Sequence, residues 1–230
     1  MLRVSGLALA MFAATIFSPE LSAGLITGSG SGFSIPDNDP NGVASSIVVS
    51  QNETVTDVEV TLSGLSHTWI GDVSATITNG SVTSTLFARV GDLGGTSGDS
   101  SAFNGDYTFS DDGVDLWTTA ASAGFGETVA PGDYKASGIS NSSVVLATDF
   151  TGQSSAGTWT LLMSDVASGD TGSLGSWSIQ LTTTGSGTFS GAVPEPGTIT
   201  VFALLTGVGC FRSAIRRRRR SVGMPAVQRV

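Results

Sequence analysis

His67 is the only histidine and Cys210 the only cysteine in the chain, so few side chains can do acid–base or nucleophilic chemistry. A serine-based relay would need His67 as its base, held between a nucleophile and a carboxylate. No recognisable nucleophile motif accompanies it, and the expectation is that His67 packs or hydrogen-bonds beside Trp69 near a strand end. Cys210 sits in an apolar stretch near the C-terminus, which leaves the central part without a disulfide, a cysteine nucleophile or a cysteine-based zinc site. Asp170-Thr171-Gly172 is a triplet in which two carboxylates can share a proton across a dimer, but it occurs once and follows the polar run Ala167-Ser168-Gly169. Asp170 is expected to cap a turn before Trp177.

The carboxylates offer hard oxygen ligands instead. Asp37-x-Asp39-x-Asn41-Gly42 matches the first half of a calcium loop, whose alternating oxygens wrap a cation. Val48 stands where such a loop needs a bidentate acid, which rejects an EF-hand and leaves a looser calcium turn at Asp37, Asp39 and Asn41. Asp72, Asp165 and Asp170 form a second candidate set if their turns meet at one end of the fold. Calcium at either place would be structural, and the alternative for all of these residues is turn formation through their side chains. Asn52-Glu53-Thr54, Asn79-Gly80-Ser81 and Asn141-Ser142-Ser143 have the form of glycosylation sequons and are read as ordinary turns.

The elements that position these groups must be strands. Only 13% of the 230 residues are charged, while Gly, Ser and Thr abound, a composition poor in long-helix formers. Val58, Val60 and Leu62 alternate with Glu59, Thr61 and Ser63, and Trp177, Ile179 and Leu181 alternate with Ser178 and Gln180. Asn79-Gly80 predicts a tight type I′ hairpin with Val73, Ala75 and Ile77 on the same face as Val82, Ser84 and Leu86. Further strands are expected at Ile47 to Val49, Val144 to Leu146 and Trp159 to Met163, with turns at Asp92 to Asp99 and Ser168 to Gly172. Many short strands between turns mean an all-β, jelly-roll-like β-sandwich over residues 24–182, with Trp159 and Trp177 in its core.

The net charge of −9 conceals an asymmetry: between Gly24 and Val193 the only cations are Arg89 and Lys135. Such an acidic domain would repel phosphates, so nucleic acid is excluded as its partner. Arg3, the apolar run Leu7 to Phe17 and the small Ala23 have the three regions of a secretory signal peptide over residues 1–23. Residues 183–192 read as a flexible Thr-, Gly- and Ser-rich linker. Val193-Pro194-Glu195-Pro196, the apolar stretch Gly197 to Phe211, and Arg216, Arg217, Arg218, Arg219 and Arg220 follow in order, with a short tail at 221–230. This arrangement over 193–220 resembles the PEP-CTERM sorting signal of Gram-negative bacteria, which an exosortase reads and cleaves. Physically, the apolar segment enters the membrane while the arginines hold its end in the cytoplasm.

Three segments of the central region resemble the P domain, or P/Homo B domain, of kexin- and furin-like proteases. Ile35-Pro36-Asp37-Asn38 with Gly42 to Val49 is similar to its opening turn and strand. His67-Thr68-Trp69-Ile70-Gly71-Asp72-Val73 is similar to its central signature, and Gly157-Thr158-Trp159, Asp165, Asp170, Gly172 and Trp177 to its closing pattern. The resemblance implies a jelly-roll sandwich and does not imply peptidase activity, since the catalytic domain that such a module accompanies needs hundreds of residues and its own Asp, His and Ser. Three roles follow as expectations. The first is a non-enzymatic exported module at the cell surface or in an extracellular polymer matrix, transiently anchored in the membrane. The second is an accessory domain acting with a separate subtilisin-like protease. The third is a carbohydrate-binding module, which an exposed Trp69 or Trp117 would favour.

Overall fold

The computed structural model describes residues 23–185, which fold as two packed antiparallel-rich sheets. The chain runs through β1 (Ala23–Ile35), β2 (Asp39–Val49), β3 (Thr54–His67), a 3₁₀ turn (Ile70–Asp72), β4 (Val73–Asn79) and β5 (Val82–Ala88). It continues through β6 (Phe103–Val114), α1 (Leu116–Ser122), β7 (Gly132–Tyr134), α2 (Leu146–Phe150), β8 (Gly157–Asp165) and β9 (Gly172–Thr184). One sheet has the order β1-β9-β3-β6-β7 and the other β2-β8-β4-β5, the expected jelly-roll-like sandwich. The residues read as a secretory signal before Ala23, as a linker beyond Gly185 and as a sorting signal with Cys210 lie outside the described residues. Among the described residues no helix is long and apolar enough to cross a membrane.

The alternating residues meet face to face. Val58, Val60 and Leu62 on β3 and Trp177, Ile179 and Leu181 on β9 are buried against Trp159, Leu161 and Met163 on β8 and Val73, Ala75 and Ile77 on β4. Burying such side chains contributes about 1.5–3 kcal/mol each, the dominant stabilising contribution here. Both tryptophans also satisfy their indole N–H groups: Trp159 donates to the Ser155 carbonyl at 2.9 Å, and Trp177 donates across the sandwich to Ser45 Oγ at 3.0 Å. A second aromatic group extends the core, with Phe87 packed on Phe103 and Phe109 at ring separations of 5.2 and 5.3 Å.

Three expectations and one omission need correction. The β4–β5 hairpin has the predicted inward faces, but Asn79 pairs with Val82, so its turn residues are Gly80 and Ser81. Only Gly80 has a positive φ, of 60°, which matches a type II′ turn rather than I′. Val144 to Leu146 is not a strand: the Asp111 carboxylate accepts the N–H groups of Leu146 and Ala147 at 2.8 and 2.9 Å and starts α2 instead. Strands β1, β6 and β7 were not anticipated. Finally, β9 continues through Thr184 with Thr183 buried, so pairing with β1 and β3 extends the sandwich two residues into the segment read as linker.

One irregularity decides where the chemistry-bearing residues point. Inward side chains on β3 are even-numbered from Val58 to Leu62 and odd-numbered at Leu65 and His67. The switch occurs where the β3–β6 register shifts between Leu62 and Leu65, a bulge at which Gly64 adopts φ 61° and its N–H is held by Asp106 at 2.7 Å. β9 makes the same switch between Leu174 and Trp177, with Gly175 against Gly64.

Candidate functional site

The bulge turns His67, the last residue of β3, into the interior at one end of the sandwich. Its Nε2 lies 3.1 Å from Asp165 Oδ2, with both side chains fully buried. His67 belongs to the five-stranded sheet and Asp165 to the four-stranded one, so the pair ties the sheets together. On the other side of the ring, Nδ1 is 2.9 Å from the Trp69 carbonyl and 3.2 Å from the Trp69 N–H. A neutral ring donating from Nε2 accepts the Trp69 N–H, and a charged ring donates to both oxygens, so either state finds partners. Asp165 accepts a further bond from Ala167 N–H at 3.0 Å. Gly172 is opposite His67 in the β3–β9 ladder, and any side chain there would collide with the imidazole.

The remaining signature residues at this end reinforce the same junction. Thr68 Oγ1 donates to Asp170 Oδ1 at 2.7 Å and accepts the Thr171 N–H at 3.3 Å, joining the turn after β3 to the turn before β9. Gly71 and Asp72 form the 3₁₀ turn into β4, and the Asp72 carbonyl accepts from Val166 N–H at 3.1 Å. Burial pushes the Asp72 carboxyl above its ordinary range, aided by the charges of Asp165 and Asp170 and opposed by His67 and Arg89. Arg89 pairs with Asp92 at 2.6 Å and braces the 3₁₀ turn through the Gly71 carbonyl at 3.4 Å. Asp92 is held below the usual carboxylate range chiefly by the backbone N–H groups of Thr96 and Gly94.

The other signature residues lie elsewhere. Gly157 and Thr158 begin β8, at the opposite end of that strand from Asp165, and Trp159 and Trp177 belong to the core. The second calcium set therefore does converge on one end, yet Asp165 is engaged by His67 and Asp170 by Thr68. In the first set, Asp39 Oδ1 accepts from the Asn41 backbone at 2.9 Å, and Asp37 Oδ1 accepts the Gly169 N–H at 3.1 Å. Among the described residues no three His, Cys, Asp or Glu side chains gather into a group that could hold a metal ion. Asp170 binds Thr68 across two turns rather than capping its own.

Two aromatic candidates separate. Trp69 is half-buried, donates its indole N–H to the Ser97 carbonyl at 2.7 Å and meets the exposed Phe125 edge-on at 5.8 Å. Trp117 lies on α1, half-buried against the core. A cleft that sequence reasoning missed lies beside α1 and is lined by Asp111, Asp115, Lys135, Ser137, Asn141 and Val144. Lys135 is the chain's single lysine and Asn141 had been read only as a turn residue, so composition was the one signal pointing there.

This end of the sandwich is a polar junction with no hydroxyl nucleophile bonded to its histidine: Thr68 turns to Asp170 instead. A search of curated proteins finds no match. Among solved structures, the serine protease of Aeromonas sobria is similar, both alone and in complex with its chaperone. Each comparison has 18% identity and a TM-score of 0.41, covering 70% of this chain and 27% of the protease. The family model for the proprotein convertase P-domain matches residues 55–181, a span that contains His67, Asp72, Asp165, Asp170 and Trp177. With more than half of its length in that match, the chain belongs to the proprotein convertase P-domain family.

Proposed function

We propose that the protein is a non-enzymatic exported module, shown at the cell surface or retained in the extracellular matrix of a Gram-negative bacterium, where it acts by binding. The observation that carries this reading is the engagement of its only histidine. Both ring nitrogens face fixed partners in a fully buried site, so the one ordinary acid–base group is unavailable to a substrate. The P domain is a non-catalytic accessory module, in keeping with this role. The proposal of export rests on the secretory-type segment before Ala23, and that of display on the succession of sorting-type elements from Val193 to Arg220 in the sequence. In this reading an exosortase-like enzyme cleaves near Val193 to Pro196 and releases the domain from its transient membrane anchor.

Mass spectrometry of the exported protein tests the route: the mature C-terminus is expected near Val193 to Pro196, and intact Arg216 to Arg220 on exported protein would overturn it. Incubation of the purified protein with unstructured peptides tests the mechanism, since hydrolysis lost on changing His67 would overturn the non-enzymatic reading. A second reading, favoured by family membership, is an accessory role beside a separate subtilisin-like protease. Co-purification with such a protease, and a change in its thermal stability on adding the domain, would select it.

A further inference from the structure

Away from the His67 junction, the cleft beside α1 has a volume of about 220 Å³. Ser137 in its wall is only 5% exposed, and its hydroxyl is buried without a hydrogen-bond partner in the protein. A buried hydroxyl left unpaired is costly, and it gains a partner where the wall gives way to a polar group entering the cleft. Lys135 borders the same cleft, and among the described residues its ammonium makes no ion pair.

The rim is held in an unusual backbone conformation. Ser140 and Asn141 have successive positive φ values of 57° and 59°, uncommon for residues other than glycine and frequent at ligand-holding segments. This conformation brings the Asn141 amide to 3.4 Å from Asp115 Oδ2, while Asp115 Oδ1 caps α1 through Thr118 N–H at 2.6 Å. Asp111 is fixed by the two N–H groups that start α2. Both carboxylates are thus oriented by structure and keep lone pairs for further donors.

We propose that this cleft binds one residue of a neutral carbohydrate. A sugar hydroxyl both donates and accepts, so it can donate to Asp111 or Asp115 while accepting from Lys135, Asn141 or Ser137. Val144 and Ala136 supply an apolar surface for the C–H face of the ring. A cationic ligand meets Lys135, and an anionic one meets two carboxylates in a domain with few cations, so the neutral polyol fits best. The volume, below the roughly 300 Å³ of drug-sized sites, suits a single sugar residue. The proposal deepens the reading of the domain as a binding module and does not depend on how the protein is sorted.

Saturation-transfer NMR on the full chain, with methyl glycosides of glucose, galactose, mannose and N-acetylglucosamine at millimolar concentration, is the test. Transfer to at least one of the four is expected. Ser137→Ala is expected to weaken it about tenfold while the melting temperature holds or rises, because an unpaired buried hydroxyl is removed. Lys135→Met, which keeps the apolar stem, is expected to weaken it similarly. Three results would overturn the proposal: no transfer from any glycoside, binding that both substitutions leave unchanged, or binding of only glucuronate or glycine in parallel samples. Each of these leaves the export and display reading standing, since that reading fails on the mature C-terminus instead.

Discussion

Replacing His67 with alanine would leave the Asp165 carboxylate buried with one remaining donor, the Ala167 N–H, and with the charges of Asp72 and Asp170 nearby. Leaving a buried acceptor without its partner costs about 1–3 kcal/mol, and more where the group is charged. The lost bond to the Trp69 backbone adds about 1 kcal/mol. Against a domain stability of roughly 5–15 kcal/mol, His67→Ala should therefore shift the urea midpoint strongly and could unfold the protein at physiological temperature. Asp165→Asn keeps the shape and one acceptor but puts an amide NH2 on either the His67 or the Ala167 side, and is expected to cost about 1–3 kcal/mol. Replacing both residues with leucine should cost less than the sum of the two single leucine substitutions, since no unpaired polar group remains. Tryptophan fluorescence during urea unfolding reads all variants, because Trp159 and Trp177 are buried and become exposed. A loss under about 1 kcal/mol for His67→Ala, or strict additivity in the double variant, would refute the view that this pair clamps the sheets.

Asp72→Asn is expected to raise stability at neutral pH, because the native carboxyl is pushed up by burial and by Asp165 and Asp170. The sign follows from the raised value: the native state binds this proton more tightly than the unfolded chain, so the charged form weakens the fold above the raised value. That penalty fades as pH falls toward 3.8, and denaturant midpoints across this range should show the variant's advantage shrinking with it. Trp159→Ala and Trp177→Ala should each cost about 3–5 kcal/mol in the same unfolding assay. Gly64→Ala should cost about 1–2 kcal/mol from its left-handed φ alone, as its surroundings are open enough for a methyl group. Gly172→Ala should cost more, because the added carbon collides with His67, and a smaller loss at Gly172 than at Gly64 would contradict the packing described.

Strands whose inward face carries Val, Ile, Leu or Trp were legible because burial itself writes the period-two pattern; β3, β4, β5, β8 and β9 are of this kind. β1 was hidden because Gly24, Gly28, Gly30 and Gly32 stand where apolar side chains would show the pattern: Ile47 and Trp177 cover Gly28 and Gly30, and Gly32 lies against the Leu174 and Gly175 backbone. On β6, Gly105 and Asp111 take the positions in phase with Phe103, Tyr107 and Phe109 and cut the apolar pattern short, although all three aromatics are buried. At Val144 to Leu146 the local pattern favoured a strand, and a carboxylate 35 residues earlier at Asp111 made the helix start instead. The misreading was thus a tertiary override of a short apolar run.

The His67–Asp165 pair shows why the site was harder to read than the fold. Extending the alternation of Val58, Val60 and Leu62 would send Gly64 and Ser66 inward and His67 to solvent, where it could act as a base. The bulge at Gly64 reverses that outcome, and its partner Asp165 is 98 residues away in sequence. A single irregular glycine thereby converts the chain's only histidine from a candidate catalyst into a buried clamp. With that acid–base group enclosed, the binding role proposed above falls to surface groups. The cleft with Lys135 and Ser137 is one described place where polar groups line a ligand-sized space. Changing the clamp should alter stability with little effect on any ligand contact, and changing the cleft should do the reverse; a variant in either place that moved both together would show the two regions to be coupled.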